Sequence, residues 1–415
     1  MVKLLIIADD FTGALDTGIQ FAKKGIETQV FTGEVLQAES ISETARVLVV
    51  DSETRPMTKE AAHGVVAGIV GQAAALKIPV IYKKTDSALR GNVGSELEAV
   101  LDGTGEHEIF FIPAFPDVGR VTRNGIHYID GEPLEKSSFG QDPFDPMRSS
   151  EVVEILKEKA SCSVVSIDVE QKIPELCAEK TILVFDASTN NDILARAGEL
   201  KEKNKLHLLA GCAGFASFLP KLLHLEGTET EKPRRTECFY VACGSLNAIT
   251  QAQVEYAYAH GFHRINLWPE QKLCPEYYET EDGKQFLAEL KRICLQEKKV
   301  IVDTFDLPGR ENTAQYAGKH QIQDIRFSIS ACHGRIVRDL LEDSSEFTVL
   351  MTGGDTLMGF MKQIGVNQIY PVEELAQGTV LSLLKWKGRT LQVISKSGGF
   401  GKREVFTDIA DMMLY

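Results

Sequence analysis

One pairing recurs along this chain: a short apolar run, a turn, then a segment of helical period. KLLIIADD leads into DTGIQFAKKG, and VIYKKTD into GSELEAVL. HLLAGCAG is followed by FASFLPKLL, YVACGS by ITQAQVEYAYAHG, and FTVLMTGGD by TLMGFMKQIG. Strands that read as continuous Val, Ile and Leu are buried on both faces, and such strands separated by helices build parallel sheets. Gly25, Gly261 and Gly365 stand where three of the helices end, the usual place for a residue that tolerates a left-handed backbone. The predicted class is α/β, with mainly parallel sheets covered by helices.

At 415 residues the pattern is too long for one core of ordinary size. The least apolar connection is Gly227 to Glu237, GTETEKPRRTE, charged and carrying Pro233. It separates two strand–helix series, so the expected domains are residues 1–230 and 236–415. Pro113 to Ser150, rich in Gly, Pro and Asp, is too long for a plain connection. It predicts an inserted hairpin or a functional loop.

Charge narrows the partners. With 45 basic and 59 acidic residues, the formal net charge is −14, which repels nucleic acid and anionic lipid. An anionic small molecule therefore needs a local basic site. The eight cysteines form no CxxC pair and no zinc-spaced cluster. Cys162, Cys177, Cys238, Cys243 and Cys294 lie in or beside apolar runs, and buried free thiols are expected there. The run Leu4 to Ile7 is too short for a signal-peptide core, and no run reaches membrane-spanning length, so the expected location is cytoplasmic. No metal ligands are assigned, and a homodimer is compatible with apolar helices such as that near Met358 to Ile364.

Open parallel sheets bind ligands beyond the carboxyl ends of their strands, and several strand ends here are polar. Asp9 and Asp10 leave the first strand together ahead of Thr12-Gly13. Adjacent acids repel, so they call for a cation, a donor or a shared proton, although one of them can simply cap the next helix. Asp51-Ser52-Glu53-Thr54-Arg55 offers a guanidinium fork for a carboxylate, set against the plainer reading of a solvated charged loop. Lys83 to Asn92, KKTDSALRGN, gathers cations, hydroxyls and an acid. A polyhydroxy acid needs that mixture, and more than a cap by Ser87 or Asp86 requires. Cys243-Gly244-Ser245-Leu246-Asn247, Met351-Thr352-Gly353-Gly354-Asp355-Thr356 and Lys396-Ser397-Gly398-Gly399-Phe400-Gly401 are three glycine turns in the second half. Glycine at a strand-to-helix turn lets phosphate approach backbone N–H groups. No GxxxxGK[ST], GxGxxG, GxSxG, HExxH or protein-kinase signature is present.

Taken in order, ADDFTGA, KTDSALRGN, TGGDT and KSGGFG resemble the four-carbon acid sugar kinase family, and PAFPDVGRVTRNGIHYIDGEPLEKSSFGQDPFDP is similar to its middle segment. The likeness spans nearly the whole chain. Asp16-Thr17-Gly18-Ile19-Gln20 is closer to the D-threonate and D-erythronate kinases than to the oxo-tetronate kinases. Ala88 stands where the family usually has Thr, and Asp355 where some members have Glu. The resemblance implies a sugar-acid-binding domain followed by a nucleotide-binding domain, ATP as donor, and phosphorylation of the terminal 4-hydroxyl; with one half-site per domain, the active site is expected in the cleft between them, with Mg2+ bridging the phosphates of ATP. It places Asp9, Asp10, Arg55, Lys84, Thr85, Asp86, Ser87 and Arg90 on the acid side. Ser245, Gly353, Gly354, Asp355, Thr356, Gly398 and Gly399 fall on the nucleotide side. Asp86 is the first choice for general base, ahead of Asp9 or Asp10; Asp355 either holds the metal through water or caps its helix. The alternatives are a 3-oxo-tetronate or 4-hydroxythreonine kinase, a ligase, a lyase using Lys83 or Lys84 as a Schiff base, and a non-catalytic sugar-acid and nucleotide sensor.

Overall fold

The structure is a computed structural model of the chain, described at residues 1–36, 38–141, 146–175, 178–228, 232–245, 247–322, 324–342 and 346–415. It divides into two compact units, Met1–Thr230 and Glu231–Tyr415. The division falls inside the charged connection Gly227 to Glu237, of which residues 229–231 lie outside the described set.

The first unit runs β1 (Leu4–Ala8), α1 (Phe11–Ala22), β2 (Thr28–Thr32), β3 (Val47–Asp51), α2 (Lys59–Ala75), β4 (Ile81–Lys84), α3 (Val93–Thr104) and β5 (Glu108–Ile112). Three short strands follow, β6 (Arg120–Arg123), β7 (Ile126–Ile129) and β8 (Glu132–Pro133). The unit closes with α4 (Val152–Lys157), β9 (Ser163–Ile167), β10 (Thr181–Phe185), α5 (Asn190–Glu202), β11 (Leu208–Gly211), α6 (Ala213–Ala216) and α7 (Leu219–Leu222). Its main sheet is parallel, in the order β2-β3-β1-β4-β11-β5-β10-β9. Every residue of β1 and β3 is buried, as strands covered on both faces must be. The segment from Pro113 to Ser150 is an insertion: β6, β7 and β8 form their own antiparallel sheet. Residues 142–145 of the segment lie outside the described set.

The second unit runs β12 (Cys238–Cys243), α8 (Ala248–Ala259), β13 (His263–Asn266), α9 (Pro269–Leu273), α10 (Glu281–Glu297), β14 (Lys299–Asp303), α11 (Thr313–Lys319), α12 (Ile325–Leu341), β15 (Phe347–Thr352) and α13 (Gly354–Ile364). It ends with β16 (Gln368–Ala376), β17 (Thr379–Trp386), β18 (Arg389–Lys396) and α14 (Val405–Met413). The order is β13-β14-β12-β15-β18-β17-β16. β12 to β15 and β18 pair in parallel, whereas β16, β17 and β18 form an antiparallel meander. The apolar helix near Met358 faces its own core: Leu357, Met358, Phe360 and Met361 are buried. Among the described residues no helix is long and apolar enough to cross a membrane.

Each unit opens with the same winding. From the first strand the chain passes to one side for two strands, then returns to place the fourth on the other side. The reversal falls between β1 and β4 in one unit and between β12 and β15 in the other. At such a point the connections leave in opposite directions and open a crevice beyond the carboxyl ends of the two strands.

Candidate active site

The polar sequence of the first unit collects at its reversal point. β1 and β4 are neighbours with Ala8 opposite Lys84, so Asp9-Asp10 and Thr85-Asp86 leave the sheet side by side. Asp10 caps α1, its Oδ1 accepting from the Gly13 N–H at 2.9 Å. Capping therefore explains one oxygen of one of the two acids.

Arg55 binds these acids together. Its Nε donates to Asp9 Oδ2 at 2.7 Å, and its Nη2 lies 2.9 Å from Asp10 Oδ1 and 3.5 Å from Asp86 Oδ1. Arg90 grips Asp86 with two bonds, Nε to Oδ2 at 2.8 Å and Nη2 to Oδ1 at 3.0 Å. The loop carrying Arg55 is pinned in turn: Asn92 donates to the carbonyls of Thr54 and Met57, and Ser52 donates to the Ala8 carbonyl. Asp86 and Ser87 do not cap α3, whose N-cap is Asn92.

The two lysines of β4 point to opposite faces, as consecutive strand residues do, and their surroundings differ. Lys83 Nζ is fully buried 3.0 Å from Glu96 Oε2, an enclosed pair out of reach of the carbonyl that Schiff-base chemistry needs. Lys84 Nζ donates to the Thr85 carbonyl at 2.8 Å, and no carboxylate of the described residues lies within ion-pair distance of it. It is therefore a cation of this site with donors to spare and, among the described residues, no carboxylate partner of its own. A Cβ at position 13 would meet Lys84 Nζ at 2.7 Å and Asp10 Oδ1 at 2.6 Å, so Gly13 leaves room for both. Thr85 Oγ1 and Asp9 Oδ1 are buried without a hydrogen-bond partner among the described residues.

The surroundings separate the acids. Burial raises the Asp9 carboxyl, but Arg55, Lys84 and Lys83 more than offset it and hold it below the usual range. Asp86 is pulled well below that range: burial works upward, and Arg55 and Arg90 outweigh it. Asp10 moves the other way, raised by burial and by Asp9 and Asp86 against the pull of Arg55 and Lys84. Asp51, at the end of β3 beside Ala8, is pushed well up by burial first, then by Glu53 and Asp10. Sequence reading named Asp51 only as the start of the Arg55 stretch and gave it no role, because it closes an apolar run like any strand-end acid.

In the second unit the glycine turns gather at the other reversal point. Gly353 follows β15 with φ +85 and is the N-cap of α13, without a side-chain cap. Its N–H donates to the Lys396 carbonyl at 2.8 Å, joining the ends of β15 and β18. Gly354 opens α13, and Thr356 turns its hydroxyl back to the Thr352 carbonyl at 2.8 Å. Ser245 N–H donates to Thr352 Oγ1 at 3.2 Å; Leu246 lies outside the described residues. A Cβ on Gly398 would meet Ser245 Oγ at 2.6 Å, and Gly399 has open space around it. Asp355 does not cap its helix. It sits exposed in the first turn, paired with Arg326 at 2.8 Å.

Lys396, which the sequence reading named at the head of its glycine turn but gave no role, is almost wholly buried at the end of β18. Its ammonium donates to the Ser397 carbonyl at 2.9 Å, and no carboxylate of the described residues lies within ion-pair distance. Burial pulls it down to about 8, with Cys243 acting the other way. A buried cation lacking a counter-charge beside three glycine turns suits a phosphate-bearing ligand. The signal was present in sequence, a lysine directly before Ser397-Gly398-Gly399. Among the described residues no group of three or more His, Cys, Asp and Glu side chains is placed to hold a metal ion. Of the thiols expected to be buried, Cys238, Cys243 and Cys294 are, Cys162 is only half-buried at a sheet margin, and Cys177 lies outside the described residues.

A family model of a sugar-binding N-terminal domain matches residues 4–219, and one of a nucleotide-binding C-terminal domain matches residues 240–406. A D-threonate kinase of Salmonella typhimurium is 27% identical over 98% of this chain and 97% of its own. The chain belongs to the four-carbon acid sugar kinase family. Within that family, the D-erythronate kinase of Heliobacterium modesticaldum is 29% identical over 64% of this chain and 63% of its own. The 3-oxo-tetronate kinase of Methylobacterium radiotolerans is 24% identical over 98% of both chains. A crystal structure from Salmonella typhimurium LT2 shares the fold with TM-score 0.79 at 18% identity, covering 100% of both chains. As a four-carbon acid sugar kinase, the protein is a phosphotransferase with an alcohol acceptor.

Proposed function

We propose that this protein transfers the γ-phosphoryl group of ATP, taken as its Mg2+ complex, to the terminal 4-hydroxyl of D-threonate or D-erythronate. The observation that carries the acid half is Lys84: a buried ammonium with unused donors, set among Asp9, Asp10 and Asp86 at the reversal point of the first unit. Arg55 and Arg90 are paired with carboxylates already, whereas Lys84 is paired with none among the described residues, so Lys84 takes the substrate carboxylate, and Thr85 and the aspartates take its hydroxyls.

Among the acids, Asp10 suits the base better than Asp86. Both Asp86 oxygens are occupied by guanidinium groups and its proton affinity is low, which makes it a weak base. Asp10 keeps Oδ2 clear of its cap and is raised above the usual range. It accepts the proton of the attacking hydroxyl as the oxygen bonds to the γ-phosphorus and ADP departs. Asp86 holds Arg55 and Arg90 in place. On the nucleotide side, Lys396 and the turns at Gly353-Gly354 and Gly398-Gly399 hold the phosphates, with Ser245 and Thr356 bracing the turns. Mg2+ supplies charge neutralisation at the phosphates. Asp355, on the first turn of α13, is free to take a water of that ion only by releasing Arg326.

The test is ADP release from Mg·ATP against D- and L-threonate, D- and L-erythronate, the 3-oxo-tetronates and 4-hydroxythreonine. The expected result is saturable turnover with D-threonate or D-erythronate. Preference for a 3-oxo-tetronate or 4-hydroxythreonine moves the substrate within the class. No turnover with any acid, from folded protein that still binds ATP, would overturn the sugar-acid reading and keep the nucleotide one.

A further inference from the structure

We propose that His127 is a positioning residue, through which the inserted sheet β6-β7-β8 holds the Asp86–Arg90 turn in the shape that receives the sugar acid. This rests on the acid site proposed above. The side chain is completely buried. Its Nε2 lies 2.9 Å from the Ser87 carbonyl and its Nδ1 lies 3.0 Å from Thr122 Oγ1. A carbonyl can only accept, so Nε2 carries the proton and Nδ1 accepts from the Thr122 hydroxyl. Burial draws the imidazole down to about 4, with the Ser87 bond opposing, which keeps that tautomer neutral at physiological pH.

Two further contacts, one from the insertion and one from the segment after α4, reach the turn and the residue that follows it. The Arg90 guanidinium lies 5.0 Å from the centre of the Phe139 ring, and Lys159 Nζ donates to the Gly91 carbonyl at 2.8 Å. The insertion is itself anchored, since Thr122 and Ala187 exchange backbone hydrogen bonds and the Val152 N–H donates to the Gly125 carbonyl at 2.9 Å.

The turn needs such support. Leu89 has φ +60, a conformation that costs a non-glycine residue free energy and persists only where its surroundings hold it. Gly91 has φ +89, and a Cβ there would meet Arg55 Cγ at 3.0 Å. The turn and the Arg55 loop therefore fit together in one arrangement. The Ser87 carbonyl lies between Asp86 and the Ala88 N–H, which itself donates to Asp86 Oδ2 at 3.2 Å. Losing the histidine bond frees the peptide that aims the Asp86 carboxylate.

The experiment compares KM for the acid and for ATP, together with melting temperature, in wild type, His127→Ala, His127→Gln and Thr122→Val. His127→Ala is expected to raise KM for the acid roughly tenfold, the worth of one buried hydrogen bond, with KM for ATP changed less than about twofold. His127→Gln, whose amide reaches the Nε2 position, restores KM for the acid. Thr122→Val gives a smaller rise in the same sense. An unchanged KM for the acid in folded His127→Ala overturns the proposal. So does an equal rise in both KM values, following loss of stability and not rescued by Gln. If His127→Ala does not fold, Thr122→Val decides, and no rise there counts against the proposal. If wild type turns over no four-carbon acid, the functional reading fails separately. Amide exchange at Ala88 and Arg90 then tests the positioning role: faster exchange in Thr122→Val supports it, and wild-type rates overturn it.

Discussion

Arg55 stands among three carboxylates, and the site depends on which of them it satisfies. Asp10→Asn should lower kcat by roughly two decades, the usual worth of a general base, with little change in KM for the acid. Asp86→Asn should chiefly raise that KM, because it releases Arg90. Steady-state kinetics on the two variants separates the roles, and the reverse pattern would return the base to Asp86. Asp51 yields a prediction about pH. Its folded-state affinity for a proton is raised by burial, Glu53 and Asp10, so the native state keeps a proton that the unfolded chain loses near pH 4. The stability it confers is complete below that value and is lost as pH rises toward the folded value, at up to about 1.4 kcal/mol per pH unit. Urea unfolding from pH 5 to 8 should therefore show Asp51→Asn gaining on wild type as pH rises; a constant difference would contradict this. The composition of the site was legible, since Asp9, Asp10, Arg55, Lys84, Asp86 and Arg90 do meet. Its wiring was not. Whether Arg90 faces a substrate or Asp86 depends on the turn through Leu89, whose positive φ no residue preference announces.

Helices and strands followed the apolar periodicity closely in β1, β3 and β12, where burial on both faces leaves continuous apolar runs. The β16–β18 meander was harder to see, because strands that alternate faces in an antiparallel ribbon mix polar and apolar residues. The crossing of α12 and α13 was hidden for another reason: close approach is written in small residues. A Cβ on Gly359 would lie 2.2 Å from the Ser330 carbonyl oxygen, and one on Gly334 would lie 2.5 Å from the Gly359 backbone. Gly359→Ala should therefore force the helices apart and cost about 1–3 kcal/mol, as overpacking does. Thermal unfolding would show it, and an unchanged melting temperature would mean that the backbone contact relaxes freely. α13 follows the Gly353 turn directly, so the same variant should also weaken nucleotide binding.

Taken whole, the chain repeats one winding in two units that share no evident sequence repeat, and each reversal point carries its own polar set. The family models divide the chain similarly, with a sugar-binding domain over residues 4–219 and a nucleotide-binding domain over residues 240–406. Hydrogen exchange should reflect that division. A four-carbon acid should protect amides after β1 and β4, and ATP those after β12, β15 and β18; protection by ATP confined to the first unit would reverse the assignment. Sequence motifs suggested an acid-binding half followed by a nucleotide-binding half. They did not give the common reversal, which depends on strand order rather than on any local residue choice. Phosphoryl transfer to a terminal hydroxyl is tested most directly by the position of phosphate in the product. Phosphorus and carbon NMR of the wild-type reaction with Mg·ATP and the preferred acid should show a phosphomonoester at C4, while the 4-deoxy analogue should bind and remain unphosphorylated. Phosphate on C2, on C3 or on the carboxylate, or turnover of the 4-deoxy analogue, would contradict the account.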